Sequence, residues 1–132
     1  MIQILGSERD LGGGLMVRRI LPYRHKRMVG PFAFLDHMAP QTVAADQNTD
    51  VRPHPHIGLS TLTYLFEGQI HHRDSIGSDQ LIMPGEVNWM TAGHGISHSE
   101  RTPESLKHTR RDLHGLQFWV ALPDGKEEID PH

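Results

Sequence analysis

Arg52-Pro53-His54-Pro55-His56 is the stretch that leaves the backbone least choice. Each proline fixes its own φ and pushes the residue before it toward extended geometry. In a strand, side chains two apart point to the same face, so His54 and His56 are presented rigidly on one side. Far downstream, His98-Ser99-Glu100 repeats the i, i+2 parity with a second pair of ligand types. If both segments face one cavity, three imidazoles and one carboxylate converge on a single ion. Such a set suits iron, and also Mn, Ni, Cu, Zn or Co, and it extends the two-His-one-carboxylate arrangement of non-haem iron sites. Four protein ligands leave one or two positions of an octahedral ion open, which admits substrate or dioxygen and permits catalysis. The plain alternatives are an HxH pair decorating a surface loop and a polar strand edge at His98 and Glu100.

The rest of the chain reads as short strands separated by turns. Gly12-Gly13-Gly14 leads into a strand at Leu15–Leu21, which Pro22 stops. A short apolar run follows at Phe32–Leu35. From Asp36 to Arg52 the residues are polar or small without a clear period, which predicts a long connection. Leu59–Phe66 is the best strand, with Leu62, Tyr64 and Phe66 on one face and Thr61, Thr63 and Leu65 on the other. Glu67-Gly68 reads as a hairpin turn returning through Gln69–Arg73. Leu81–Met83 and Val87–Met90 flank a tight turn at Pro84-Gly85, and Leu113–Leu122 alternates as a closing strand. The tail from Pro123 is solvated by composition. Short strands at close spacing, with 13 Gly and nine Pro and no sustained helical period, predict an all-β sandwich or barrel. The 132 residues suffice for one domain with its own core. The expectation is a single domain over 1–132, with a lead-in to about residue 15 and a polar tail over 123–132.

Composition closes several functional classes. A net charge of −3 without a dominant basic stretch argues against direct nucleic-acid binding. The absence of cysteine removes disulfides, thiolate metal sites and thiol catalysis together, so any transition metal must be held by imidazole and carboxylate. The N-terminus becomes charged too soon for a secretory signal, and no apolar run approaches the ~20 residues that span a bilayer. A soluble, cytoplasmic protein is expected.

The other candidate residues have blander readings. His71 and His72 are adjacent, face opposite sides of a strand, and read as a solvated strand end. His94, between two glycines and four residues before His98, reads as a turn residue from which a ring could also reach the ligands. Glu67 and Glu86 read as solvated turn carboxylates, Trp89 and Trp119 as core, and Lys26, Arg27, Arg110 and Arg111 as surface charges.

Several of these stretches together resemble the N-terminal cupin domain of the pirin family. They are Arg27–His37, Pro53–Leu59, Tyr64–Gly68, Pro84–Gly93, Gly95–Glu100 and Gly115–Val120. The resemblance runs over most of the chain from about Arg18. It implies a small β-barrel of two antiparallel sheets with iron, Fe(II) or Fe(III), held by His54, His56, His98 and Glu100. It also implies either a quercetin 2,3-dioxygenase that opens a flavonol ring, with Glu100 as ligand and base, or a non-catalytic, redox-sensing partner of transcription regulators. The chain departs from the general cupin pattern, which places a Glu shortly after HxH where this sequence has Ser60 and Thr61, so the carboxylate must come from Glu100, as in pirins. Pirins are usually bicupins, whereas this chain stops after the first cupin; a homodimer covering the surface of a second domain is expected.

Overall fold

A computed structural model of the chain describes residues 3–132, so Met1 and Ile2 of the apolar start lie outside the described residues. Ten strands form two antiparallel sheets. The larger sheet runs in the order β1 (Ser7–Asp10), β2 (Met16–Leu21), β3 (Phe32–Val43), β10 (Arg111–Ala121), β5 (Leu59–Glu67) and β8 (Val87–Thr91). The smaller runs β4 (Val51–His56), β9 (Ile96–Arg101), β6 (Ile70–Asp74) and β7 (Asp79–Ile82). Among the described residues the only helical element is a 3-10 turn at Glu104–Leu106. The all-β, two-sheet architecture is the one expected.

Two expectations about connections are corrected. Asp36 to Val43 is not a connection but the second half of β3, and the irregular chain is confined to residues 44–50. Phe34, Asp36 and Met38 point inward in strict alternation, and Asp36 hides the pattern because a carboxylate occupies a core position at 1% exposure. Glu67-Gly68 does not close a hairpin: β5 pairs with β10 and β8, whereas β6 pairs with β9 and β7. The turn carries the chain from one sheet to the other. Pro84-Gly85 is the tight turn expected, and it too passes between the sheets, from β7 to β8. Gly68 allows the crossing, since its φ is +86° and a Cβ there would lie 2.5 Å from the Asp112 carbonyl oxygen.

An apolar core of Leu15, Val17, Met38, Val43, Leu65, Ile82 and Leu113 fills one part of the interior, and Met90, Ala92 and Ile96 form a second cluster. Elsewhere the interior is polar: Ser60, Thr61, Thr63, His56, His72 and His98 are all buried. Burying such groups costs free energy unless they are hydrogen-bonded, and among the described residues no buried side-chain nitrogen or oxygen lacks a partner.

The apolar alternations seen in β5 and β10 lie on the outer face of the larger sheet. Trp89 sits opposite Leu62, Leu62 opposite Phe118, and Phe118 opposite Leu35, in a row across four strands. Val87, Tyr64, Leu116 and His37 form a parallel row. Trp89, expected in the core, is instead half-exposed on this face. The tail is also more ordered than its composition predicts. Its side chains are mostly exposed, but His132 and Thr91 exchange both backbone hydrogen bonds, at 2.6 and 3.0 Å, and the His94 amide donates to the Ile129 carbonyl at 2.9 Å. Residues 129–132 thus cover the free edge of β8, where an open strand would offer unpaired backbone.

Candidate metal centre

β4 lies at the edge of the smaller sheet and pairs with β9, so Pro53 and Pro55 cost no ladder bond on the solvent side. The register sets His54 directly opposite His98, and His56 opposite Ile96. His54, His56 and His98 therefore share one face, as their spacing predicts, and one ring nitrogen from each lies within 4.8 Å of the others. His98 Nε2 is the hub, 3.1 Å from Nε2 of both His54 and His56. The rings tilt rather than stack, with interplanar angles of 54° to 78°, so their edges meet at a common focus.

The protonation states suit that focus. His54 Nδ1 lies 2.8 Å from the Arg52 carbonyl, which can only accept, so this nitrogen donates and Nε2 is the one turned to the focus. Burial, reinforced by the neighbouring His54, pushes His56 down to about 4. Burial, with His54, His56 and His72 adding to it, pushes His98 down to about 3. Both rings are neutral at pH 7. A focus of imidazole nitrogens is a donor set for a divalent transition metal, and the residues present fit one.

Glu100 stands two residues beyond His98 on β9 and lines the same cavity. Burial pushes its carboxyl up, while a bond from Thr63 and the histidine charges pull it back. Thr63 Oγ1 lies 3.2 Å from Glu100 Oε1 and 2.7 Å from Gln117 Oε1. One hydroxyl proton serves one of these oxygens at a time, so Glu100 retains acceptor capacity toward the cavity. The tight group comprises the three imidazoles, with Glu100 beside it.

The cavity measures about 190 Å³ and has an apolar, aromatic wall. Trp119 stacks on Phe34 at 4.3 Å and turns its edge to His56 at 5.3 Å, so it belongs to the site rather than to a closed core. Arg19 lies 4.5 Å over the Phe34 ring and makes paired bonds of 2.9 and 2.8 Å to Asp36. Its bond with that carboxylate raises the guanidinium's pKa against the opposing effect of burial.

Other histidines and charges fall differently from expectation. His72 is not solvated: it is 1% exposed, lies 3.4 Å from His98 through facing Nδ1 atoms, and bonds Asp74 at 3.1 Å. Its strand-mate His71 pairs with Asp79 at the surface, so the two do face opposite sides. The HxD spacing of His72 and Asp74 was the available signal, with the same parity that selected the other pairs. His94 is exposed beside Asp130 and plays no part in the cavity. Arg111 is half-buried and donates to the Gln47 carbonyl and to the Thr49 and Thr102 hydroxyls, whereas Lys26, Arg27 and Arg110 are exposed as expected. Glu67 and Glu86 are exposed at their turns. No helix among the described residues is long and apolar enough to cross a membrane.

Comparison with known proteins agrees with this geometry. The family model described as Pirin matches residues 14–120. A pirin-like protein of Caulobacter vibrioides is 60% identical over 93% of this chain, which spans 43% of that relative. A Pseudomonas aeruginosa protein that carries a provisional quercetin 2,3-dioxygenase name is 45% identical over 98% of the chain, which spans 40% of it. The chain therefore spans less than half the length of these curated relatives. The crystal structure of an Acinetobacter baumannii quercetin 2,3-dioxygenase superposes with a TM-score of 0.89 at 50% identity, over 96% of this chain and 41% of that one. An Escherichia coli pirin in complex with nickel(II) superposes with a TM-score of 0.75 at 26% identity, over 96% and 52%. These two-sheet matches make the fold a cupin, and the chain belongs to the pirin family.

Proposed function

We propose that this chain is an iron-dependent dioxygenase domain acting on a flavonol, with His54, His56, His98 and Glu100 as the ligands. The observation that carries the reading is the convergence of three imidazole Nε2 atoms at the wall of an aromatic-lined cavity. The names of the relatives support the substrate class, and the nickel-bound pirin supports a divalent ion. When bound, iron would supply the Lewis acidity and the electron exchange with dioxygen that a flavonol ring opening needs.

The chain's own residues do the remainder. His56 and His98 offer neutral nitrogens without a charge to discharge first, and His54 turns its Nε2 to the same focus. Glu100, with its basicity raised by burial, accepts the flavonol hydroxyl proton at a carboxylate oxygen, and Thr63 holds that carboxylate. Phe34 and Trp119 give a planar substrate an aromatic surface and keep water from it. The cavity is smaller than the roughly 300 Å³ at which pockets for drug-sized ligands begin, so the hydroxyl-bearing ring would enter and the remainder would lie at the mouth. The test is anaerobic reconstitution with Fe(II), followed by quercetin and oxygen, with flavonol loss and oxygen uptake recorded together. Coupled consumption well above that of free iron is expected, and its loss in His56→Ala. No consumption beyond free iron, or undiminished consumption in the variant, overturns the reading.

The exposed rows on the outer sheet face support a homodimer as the working form. Val87 and Trp89 are 56% and 50% exposed beside Phe66 at 46%, and a second copy would bury that apolar face. Light scattering at micromolar concentration is expected to return twice the chain mass; a monomer overturns the dimer.

A further inference from the structure

We infer that His37 and His114, on the outer face of the larger sheet, form a second metal site, a two-imidazole clasp for Zn(II), Ni(II) or Cu(II). It does not depend on the metal-centre reading above, and both ligands come from one chain.

Strand pairing brings these rings together from positions 77 apart in sequence. His37 lies on β3 between the buried Asp36 and Met38, and His114 lies on β10 between the buried Leu113 and Gly115. Both side chains therefore stand on the outer face. The register sets His37 opposite Leu116, which leaves His114 as its diagonal neighbour. The ladder is irregular on both sides of His114. Toward β3 its place between Leu113 and Gly115 is matched by two residues, Ala39 and Pro40, and toward β5 the pairing skips Phe66. Bulges of this kind re-aim side chains and recur beside functional sites. The His114 ring stacks on Phe66, with centroids 4.4 Å apart and 29° between the planes, so the aromatic neighbour limits its motion.

The Nε2 atoms of His37 and His114 lie 3.2 Å apart. With metal–nitrogen bonds of about 2.0–2.1 Å, that separation subtends an angle of about 100° at a shared ion, between the octahedral and tetrahedral values. The histidines of the cavity have nearly the same spacing, 3.1 Å from His98 Nε2 to each of its two neighbours. Imidazole suits all three ions, and with so open a site the choice among them follows their general affinity order, copper first. Among the described residues no third histidine or carboxylate joins the pair as closely as the cavity group is joined, so water would complete the coordination. Burial, with His114 and Arg18 adding to it, holds His37 below its ordinary value, which favours the uncharged ligand. Arg18, opposite His37 on β2, opposes a bound cation, but it is exposed and reaches toward Glu8 at 3.9 Å. Glu67, opposite His114 on β5, favours one.

The competing account is a hydrogen bond between the two rings and nothing more. In that account one proton holds the place that the ion would take. Metal binding releases such a proton, and the outer torsion of a histidine is broad enough for the rings to turn toward a common ion.

The experiment titrates the untagged chain with Zn(II) alone and follows every imidazole by two-bond 15N–1H correlations, with thermal melting as the control for integrity. The Nε2 resonances of His37 and His114 are expected to move together, as one event separate from that at His56 and His98. In folded His114→Gln, His37 is expected to need at least about tenfold more Zn(II), the least that even an outer partner contributes. His37→Gln is expected to do the same to His114. Resonances of His37 and His114 that stay unmoved at several equivalents of Zn(II) overturn the inference. So does a His37 that responds alike in wild type and in His114→Gln. Movement at His37 and His114 without any at His56 and His98 sustains the inference and overturns the metal-centre reading instead.

Discussion

His54 and His98 stand directly opposite each other on β4 and β9, with their Nε2 atoms 3.1 Å apart. Directly opposed residues on an antiparallel pair are the closest cross-strand neighbours a sheet provides. The two strands therefore bring together two of the three imidazoles before any loop is involved, and His56, two residues along β4, completes the group.

Because His98 Nε2 contacts both other rings, its removal opens the focus in two directions at once. His98→Ala is expected to weaken Ni(II) binding by more than the 10- to 100-fold typical of an outer partner. Isothermal titration checks this; a loss of less than about tenfold would count against the hub.

The metal-free protein is expected to lose stability as the pH falls. His56 and His98 are held at about 4 and about 3 in the folded state, against an ordinary value of 6.5. Below 6.5 the unfolded chain takes up protons that the folded chain refuses, so the unfolded state binds more and stability rises with pH across this window. Urea midpoints should therefore fall steadily from about pH 6.5 toward pH 4, and more gently in His98→Leu. Equal pH dependence in the two proteins would contradict the burial argument.

Arg19 and Asp36 form a partly buried pair whose loss is asymmetric. Arg19→Met strands a carboxylate at 1% exposure and is expected to cost about 3 kcal/mol, the low end of the range for a broken buried pair because Arg19 is partly solvated. Replacing both, as Arg19→Met with Asp36→Leu, is expected to cost clearly less than Arg19→Met alone. Denaturant unfolding of the two variants decides it, and equal losses would show that the pairing is not what matters.

The tail's attachment depends on Gly93, where φ is +50° and a Cβ would lie 1.9 Å from the Ile129 carbonyl oxygen. Gly93→Ala is expected to displace residues 129–132 and to cost about 1–3 kcal/mol, as a side chain forced into left-handed backbone does. Amide exchange at Thr91 and His94, whose protons the tail accepts, should quicken. Unchanged protection at both amides would mean that the tail contributes nothing to the β8 edge.

The sequence by itself determined the all-β class and the shared face of His54 and His56, because strand parity and proline stiffness are local properties. That His98 and Glu100 face one cavity was legible for the same reason. Asp36 was not: a carboxylate inside an apolar alternation looks like a break until Arg19, 17 residues away, is brought against it. Glu67-Gly68 looked like a hairpin turn, since local turn chemistry is the same whether the next strand pairs beside the last or crosses to the other sheet. His72 had the right parity with Asp74, yet only the placement of β6 between β9 and β7 buries it against His98. The apolar alternations of β5 and β10 marked strands correctly but did not say which face was inside. The tertiary structure turned much of the polar face inward, where Thr63 bonds Glu100 and Gln117 and the histidines bond one another. Local geometry selects the ligand types; only non-local strand pairing decides what surrounds them.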